Sequence, residues 1–380
     1  MAKLGDVCFI TMGQSPDSAT YNEFGNGLPF FQGNADFGKI SPTARIWCSE
    51  PKKIANPDDI LISIRAPIGA LNIADIKCCI GRGLASLNIN DDKGIKKYIW
   101  YALKSKANEM ISKGTGSTFK AIGKDILYNL EIPLPPLENQ RKIAENLDKV
   151  TRLIDLFNNI LDKIDLLVKS RFVEMFGDVK SNQHAYEIKP MTEVCEIIDG
   201  DRGKNYPKQE EFLERGYCLF LNAKNVTANG FDFTSCMFVT KEKDELLRKG
   251  KLSRGDVVLT TRGTIGNLAF YTDAIPFENG RINSGMGILK MNKAMVSVVF
   301  FIEQFKMCLT EIKEGVASGS AQPQLPISTM NKIRFLVPPI ALQKQFVAFV
   351  EQTDKSKSAV KKVLEKAETL KKALMQEYFG

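Results

Sequence analysis

Residues 56–75 read NPDDILISIRAPIGALNIAD, and residues 253–273 read SRGDVVLTTRGTIGNLAFYTD. The second is an altered copy of the first, matching Asp59 with Asp256, Arg65 with Arg262 and Gly69 with Gly266. Outward from this pair the matches continue in order. Val7-Cys8 answers to Val194-Cys195 on the N-terminal side. On the other side LEIPLPPLENQRKIAENLD (130–148) is echoed by RFLVPPIALQKQFVAFVEQTD (334–354), and VEMFGD (173–178) by QEYFG (376–380). Four matches in one order, with a slowly drifting offset, mean a tandem duplication in which insertions separate the copies.

Each copy opens with short β-type runs punctuated by Gly, Pro, Asn and Asp. These are DVCFITM, DILISIR, GALNIA and LASLNIN in the first copy, and DVVLTTR, GNLAFYT and GMGILKMN in the second. A helical run follows, at 96–112 and at 298–314. Each globular segment closes on a double proline, Pro135-Pro136 or Pro338-Pro339, which cannot lie inside a helix and so marks a boundary.

After each boundary the pattern predicts a long helix. Ile143, Leu147, Val150, Ile154, Phe157, Leu161, Ile164 and Val168 alternate steps of four and three, the rule for a coiled-coil seam. In the second helix Phe346, Val350, Val360, Leu364, Ala367, Leu370 and Leu374 are read as the seam, with Thr353 and Lys357 interrupting it. Two such helices at equivalent places in a duplicated chain are expected to pair antiparallel, giving a pseudo-two-fold arrangement around a rod of about 60 Å at ~1.5 Å per residue. The expected fold class is α+β: two similar globular α/β domains, at 1–136 and 179–338, separated by long helices at 137–178 and 339–380.

Composition narrows the function. The chain has 380 residues, net charge +8, 44% hydrophobic and 25% charged residues, which suits a multidomain globular protein with a modest basic excess. No apolar run reaches the ~18–20 residues of a membrane span. The N-terminal stretch MAKLGDVCFITMGQ lacks the zones of a secretory signal, so the expected location is cytoplasmic. The eight cysteines have no zinc-type spacing and are read as reduced, mostly buried residues. The single histidine, His184, is read as an exposed loop residue, and one histidine excludes a multi-His metal site. The sequence has neither G-x-x-x-x-G-K-[ST] for nucleotide phosphates nor D-P-P-Y or N-P-P-[YF] for a flipped adenine. Phe119, Phe231, Phe233 and Phe238 are read as core rather than as base-stacking platforms.

The junctions IPLPPLENQ (132–140) and VPPIALQ (337–343) resemble those between recognition domain and long helix in the specificity subunits of type I restriction–modification systems. So do GTGSTFKAIGKDIL (114–127), ASGSAQPQLPISTM (317–330), the segments around Arg65 and Arg262, and the Phe-Gly endings of both helices. The likeness spans nearly the whole chain. One departure is Ala341-Leu342-Gln343 where the first copy has Glu138-Asn139-Gln140.

The resemblance implies two target-recognition domains, each reading half of a bipartite DNA target. It also implies helices that space them and bind two methyltransferase subunits, with motor–nuclease subunits joining for cleavage. The chain itself would be non-catalytic and without cofactor, with S-adenosylmethionine and ATP/Mg on the partners. Two other readings compete. A self-sufficient DNA-modifying enzyme would transfer methyl groups alone, and a protein-binding coiled-coil scaffold would give no sequence-selective retention of DNA.

Polar and basic residues of the Gly-rich loops are the candidate DNA contacts. In the first copy these are Lys39, Arg65, Arg82, Lys113, Ser117, Thr118 and Lys120; in the second, Lys224, Arg262, Arg281, Ser318, Ser320 and Gln322. For each the competing reading is an ordinary surface side chain. Arg65 and Arg262 rank first because both copies place Arg at a strand end before a Gly turn, although such a repeated residue could equally hold the fold through an ion pair.

Overall fold

The computed structural model describes residues 1–115, 120–317 and 324–380. The chain forms two compact units, one of Met1–Asn159 with Lys361–Gly380 and one of Ile160–Val360. It is an α+β fold carrying two long helices.

In the first unit the strands are β1 (Cys8–Met12), β2 (Leu28–Phe31), β3 (Ile60–Ser63), β4 (Leu71–Ile73), β5 (Cys78–Ile80) and β6 (Leu84–Ile89). A four-stranded antiparallel sheet runs β1-β6-β3-β4. Because side chains alternate across a strand, Ile60 and Ile62 of β3 face one cluster and Leu61 faces another. The first cluster also takes residues of helix α1 (Lys96–Ser105) and of both long helices, α2 (Leu137–Phe176) and α4 (Ile340–Phe379). The second lies against a smaller sheet in which β2 and β5 pair in parallel, flanked by the two-residue strands Tyr21–Asn22, Trp47–Cys48 and Ile54–Ala55.

The second unit repeats this plan with β7 (Cys195–Asp199), β8 (Cys218–Leu221), β9 (Val257–Thr260), β10 (Leu268–Phe270), β11 (Gly280–Ile282), β12 (Met286–Met291) and helix α3 (Val298–Ala317). Its sheet runs β7-β12-β9-β10, and β8 pairs in parallel with β11. Again the strand alternation divides the core: Val257 and Leu259 face the helices, and Val258 the smaller sheet. The turn glycines Gly69 and Gly266 have φ of +84° and +89°, which disfavours any side chain at either place.

Each unit buries the start of one long helix against the end of the other, so the segments it holds run antiparallel. In the first, Ala144 and Leu147 of α2 share a core with Phe379 of α4. In the second, Phe172 and Phe176 of α2 pack on Phe346 of α4, with ring centroids 5.5 Å apart in both pairs. Phe379 meets Tyr98 at 5.2 Å, and at the equivalent place Phe176 meets Phe300 at 4.9 Å.

Two expectations change. The helical run at 96–112 breaks at Lys106, whose backbone (φ −88°, ψ 3°) leaves the helical region, so a separate helix covers Ala107–Lys113. In α4 the seam is regular: buried or half-buried positions fall at 346, 350, 353, 357, 360, 364, 367, 371, 374 and 378. Thr353 and Lys357 therefore belong to it. The Thr353 hydroxyl donates to the Val350 carbonyl at 2.7 Å, and Lys357 lays its stem on the seam while its ammonium pairs with Asp165. Leu370 does not belong; it is 50% exposed, and Lys371 takes that step.

Among the described residues no helix is long and apolar enough to cross a membrane. All eight cysteines are free thiols, and six are buried. His184 is exposed in a loop with its ring 5.4 Å from Tyr186.

Candidate nucleic-acid interface

Arg65 and Arg262 follow the C-terminal ends of β3 and β9 and are both exposed. Each sits where a second segment joins its strand. The Arg65 backbone bridges to Ala121, and the Arg262 backbone to Gln324. Ile122 N donates to Ile64 O at 2.9 Å, and Leu325 N to Thr261 O at 2.9 Å. The folding therefore brings residues 121–122 and 324–325 beside the two arginines, in the same way twice. Ser117, Thr118, Phe119, Ser318, Ser320 and Gln322 lie outside the described residues.

A second arginine borders the same space in each unit. Arg65, Arg82, Gln32, Asn34 and Ser63 line a shallow cavity of about 210 Å³. Arg262, Arg202, Asp199 and Gln324 line one of about 190 Å³. Arg202 Nη2 lies 3.0 Å from Asp199 Oδ2 and donates to Ser284 O at 3.2 Å. Arg82 has no carboxylate partner among the described residues. The sequence reading missed Arg202, because only the strand register reveals what it matches in the first copy.

The other candidates divide. Lys120 and Lys224 are exposed, the latter on the turn after β8 where its backbone N–H donates to Asn222 Oδ1. Lys39 reaches Asp155 on α2 at 3.5 Å, and Lys113 pairs with Glu109 at 2.7 Å. Pairs this exposed contribute little and leave both lysines accessible to an anion.

Arg281 is a correction. It is 4% exposed, and four of its five N–H donors are engaged, with Asp244 Oδ1 and with the carbonyls of Lys249, Leu247 and Asp244. Lys251 Nζ completes the cluster 2.7 Å from Asp244 Oδ2. Burial raises the Asp244 carboxyl, but the hydrogen bonds from Lys251 and Arg281 outweigh it and hold the group below its ordinary range. Arg281 thus pins residues 244–249 to β11, and its burial keeps it from DNA.

The chemistry on offer is donation: guanidinium N–H groups, which suit phosphate oxygens and the O6/N7 edge of guanine. Three of the thiols are poor nucleophiles at neutral pH, since burial pushes Cys8, Cys78 and Cys195 up to about 12.

A family model described as the type I restriction modification DNA specificity domain matches residues 1–166 and again 184–370. The MjaIX specificity subunit of a type I restriction enzyme from Methanocaldococcus jannaschii is 24% identical over 383 residues, covering 92% of this chain and 85% of its own. A second relative from that archaeon, named for the MjaX system, is 44% identical over 156 residues, 41% of this chain and 37% of its own. The crystal structure of a type I S subunit from Mycoplasma genitalium shares the fold along 100% of this chain and 95% of its own, with a TM-score of 0.57 at 20% identity. With the family's domain matched once in each half, the chain belongs to the type I restriction–modification DNA specificity family.

Proposed function

We propose that this chain is the sequence-reading, non-catalytic subunit of a type I restriction–modification complex, and that each globular unit reads one half of a bipartite DNA target. The paired helices set the gap between the half-sites and dock two methyltransferase subunits, with motor–nuclease subunits joining for cleavage. S-adenosylmethionine and ATP/Mg would be held by those partners. The observation that carries the reading is the repetition of an exposed arginine pair, Arg65 with Arg82 and Arg262 with Arg202, lining one cavity in each unit. Doubling the reader also makes physical sense. A recognised base pair is worth roughly 1–3 kcal/mol, so one small reader discriminates poorly within a genome, and a linked second reader acts at high effective concentration.

The test is to express the chain with its methyltransferase subunit and map the modified adenines. A split motif with a fixed gap is expected; an unbroken motif overturns the reading. Inserting one heptad within 143–168 should lengthen the gap and leave both half-sites unchanged. A gap indifferent to helix length removes the spacer role.

A further inference from the structure

Arg82 and Arg202 do not match in sequence, and the sheet register explains why. In the first unit Met12 of β1 pairs with Ala85 of β6; in the second Asp199 of β7 pairs with Gly287 of β12. Three residues beyond Met12 stands Ser15, and three beyond Asp199 stands Arg202. Three before Ala85 stands Arg82, and three before Gly287 stands Ser284. The same two positions thus hold a serine and an arginine in both units, with the two residue types exchanged between the loops.

In both units these positions touch. Arg82 N donates to Ser15 Oγ at 3.3 Å, and Arg202 Nη2 donates to Ser284 O at 3.2 Å. Both arginines are exposed and both serines half-buried. Each arginine borders the cavity that it shares with Arg65 or Arg262.

We infer that Arg82 and Arg202 are equivalent specificity-determining residues, and that each cavity receives an acceptor group of DNA between two guanidinium groups. This rests on the DNA-reading function proposed above. An arginine needed only to hold a loop would act through contacts peculiar to that loop. What the two copies keep is an arginine bordering the cavity, supplied from whichever loop carries it. The companion arginine keeps its own place, two residues past Ser63 and two past Thr260. The acceptor chemistry is shared by a backbone phosphate and by the O6/N7 edge of guanine.

The exchange provides its own test, made on the chain assembled with its methyltransferase subunit and a duplex carrying the motif mapped for the unaltered complex. Arg82→Ser and Arg202→Ser should each weaken binding about 10- to 100-fold, the range for a lost DNA contact. The exchanged doubles, Ser15→Arg with Arg82→Ser and Arg202→Ser with Ser284→Arg, should restore it to within a few-fold. A guanine contact shows as relaxed methylation at one base pair of one half-site. A phosphate contact shows as equal weakening on all sequences and a salt slope smaller by about one. Either pattern supports the inference. Single variants that bind and methylate like the parent, or doubles as weak as the singles with thermal melting unchanged, overturn it while leaving the DNA reading intact. A parent complex with no sequence-selective retention of DNA overturns both.

Discussion

Gln343 repeats, bond for bond, what Gln140 does. The Gln140 Oε1 accepts from Ile95 N at 2.9 Å, and its Nε2 donates to the carbonyls of Lys93 and Pro135. The Gln343 Oε1 accepts from Ser297 N at 2.9 Å, and its Nε2 donates to the carbonyls of Met295 and Pro338. Both amides are buried. Each ties the first turn of a long helix to the loop that leads into α1 or α3 of its own unit. Replacing either with Leu strands one amide N–H and two carbonyls, so a loss on the order of 2–4 kcal/mol is expected. Urea unfolding of each variant measures it, and a loss below about 0.5 kcal/mol would deny these residues a pinning role.

The Arg281–Asp244 pair gives a second expectation. Removing one partner of a buried pair leaves an uncompensated charge, so Arg281→Ala should cost about 3–5 kcal/mol. Because the Asp244 carboxyl is held below its unfolded value, its stabilisation is present above about pH 4 and is lost as pH falls through the lower folded value. Comparing acid unfolding of the parent and of Asp244→Asn should therefore show the parent's advantage disappearing below about pH 4.

Asp59 and Asp256 occupy one position of the repeat yet should respond oppositely to the same change. Asp59 accepts from Asn56 N, Ser86 Oγ and Asn88 Nδ2. Among the described residues the Asp256 carboxylate accepts a hydrogen bond only from Ser253 N, and burial raises its carboxyl against the pull of that N–H and of Lys290. A raised carboxyl favours the fold below its unfolded pKa, and that contribution is lost as pH rises through the folded value. At pH 7 Asp256→Asn should be neutral or stabilising, whereas Asp59→Asn should cost on the order of 1–3 kcal/mol. Unfolding free energies at pH 7 decide; equal losses at both positions would contradict this account.

The seam of α4 can be checked by charge. Leu370→Glu should change stability by less than about 0.5 kcal/mol, as surface changes do. Leu364→Glu places a carboxylate at a half-buried seam position and should cost about 2 kcal/mol. Thermal melting of the two variants separates the registers, and the reverse order would restore Leu370 to the seam.

The duplication, the main-sheet strands and both long helices could be read from the sequence: the first from matches recurring in order, β3 and β9 as short apolar, β-branched runs bounded by turn residues, and α2 from its four-and-three steps. The smaller sheet could not. Tyr21–Asn22, Trp47–Cys48 and Ile54–Ala55 are two-residue strands, too short to show alternation. Leu370 was misplaced because hydropathy favoured it over Lys371, although a lysine stem fits a seam. Arg281 deceived for a related reason: its partner Asp244 lies in KEKDEL, which reads as a solvated run but turns that one carboxylate inward. Arg65 and Arg262 stand out as candidates because they match in sequence, whereas Arg202 needs the ladder of β7 and β12.

The place of Phe379 in the first core has a consequence for synthesis. Residues 361–380 complete the unit that begins at Met1, and Phe379 closes against Tyr98 there. The ribosome must therefore make all of residues 160–360 before the first globule can finish burying its aromatic residues. Nascent chains halted before residue 361 should yield an N-terminal half that chaperones and proteases still treat as unfinished.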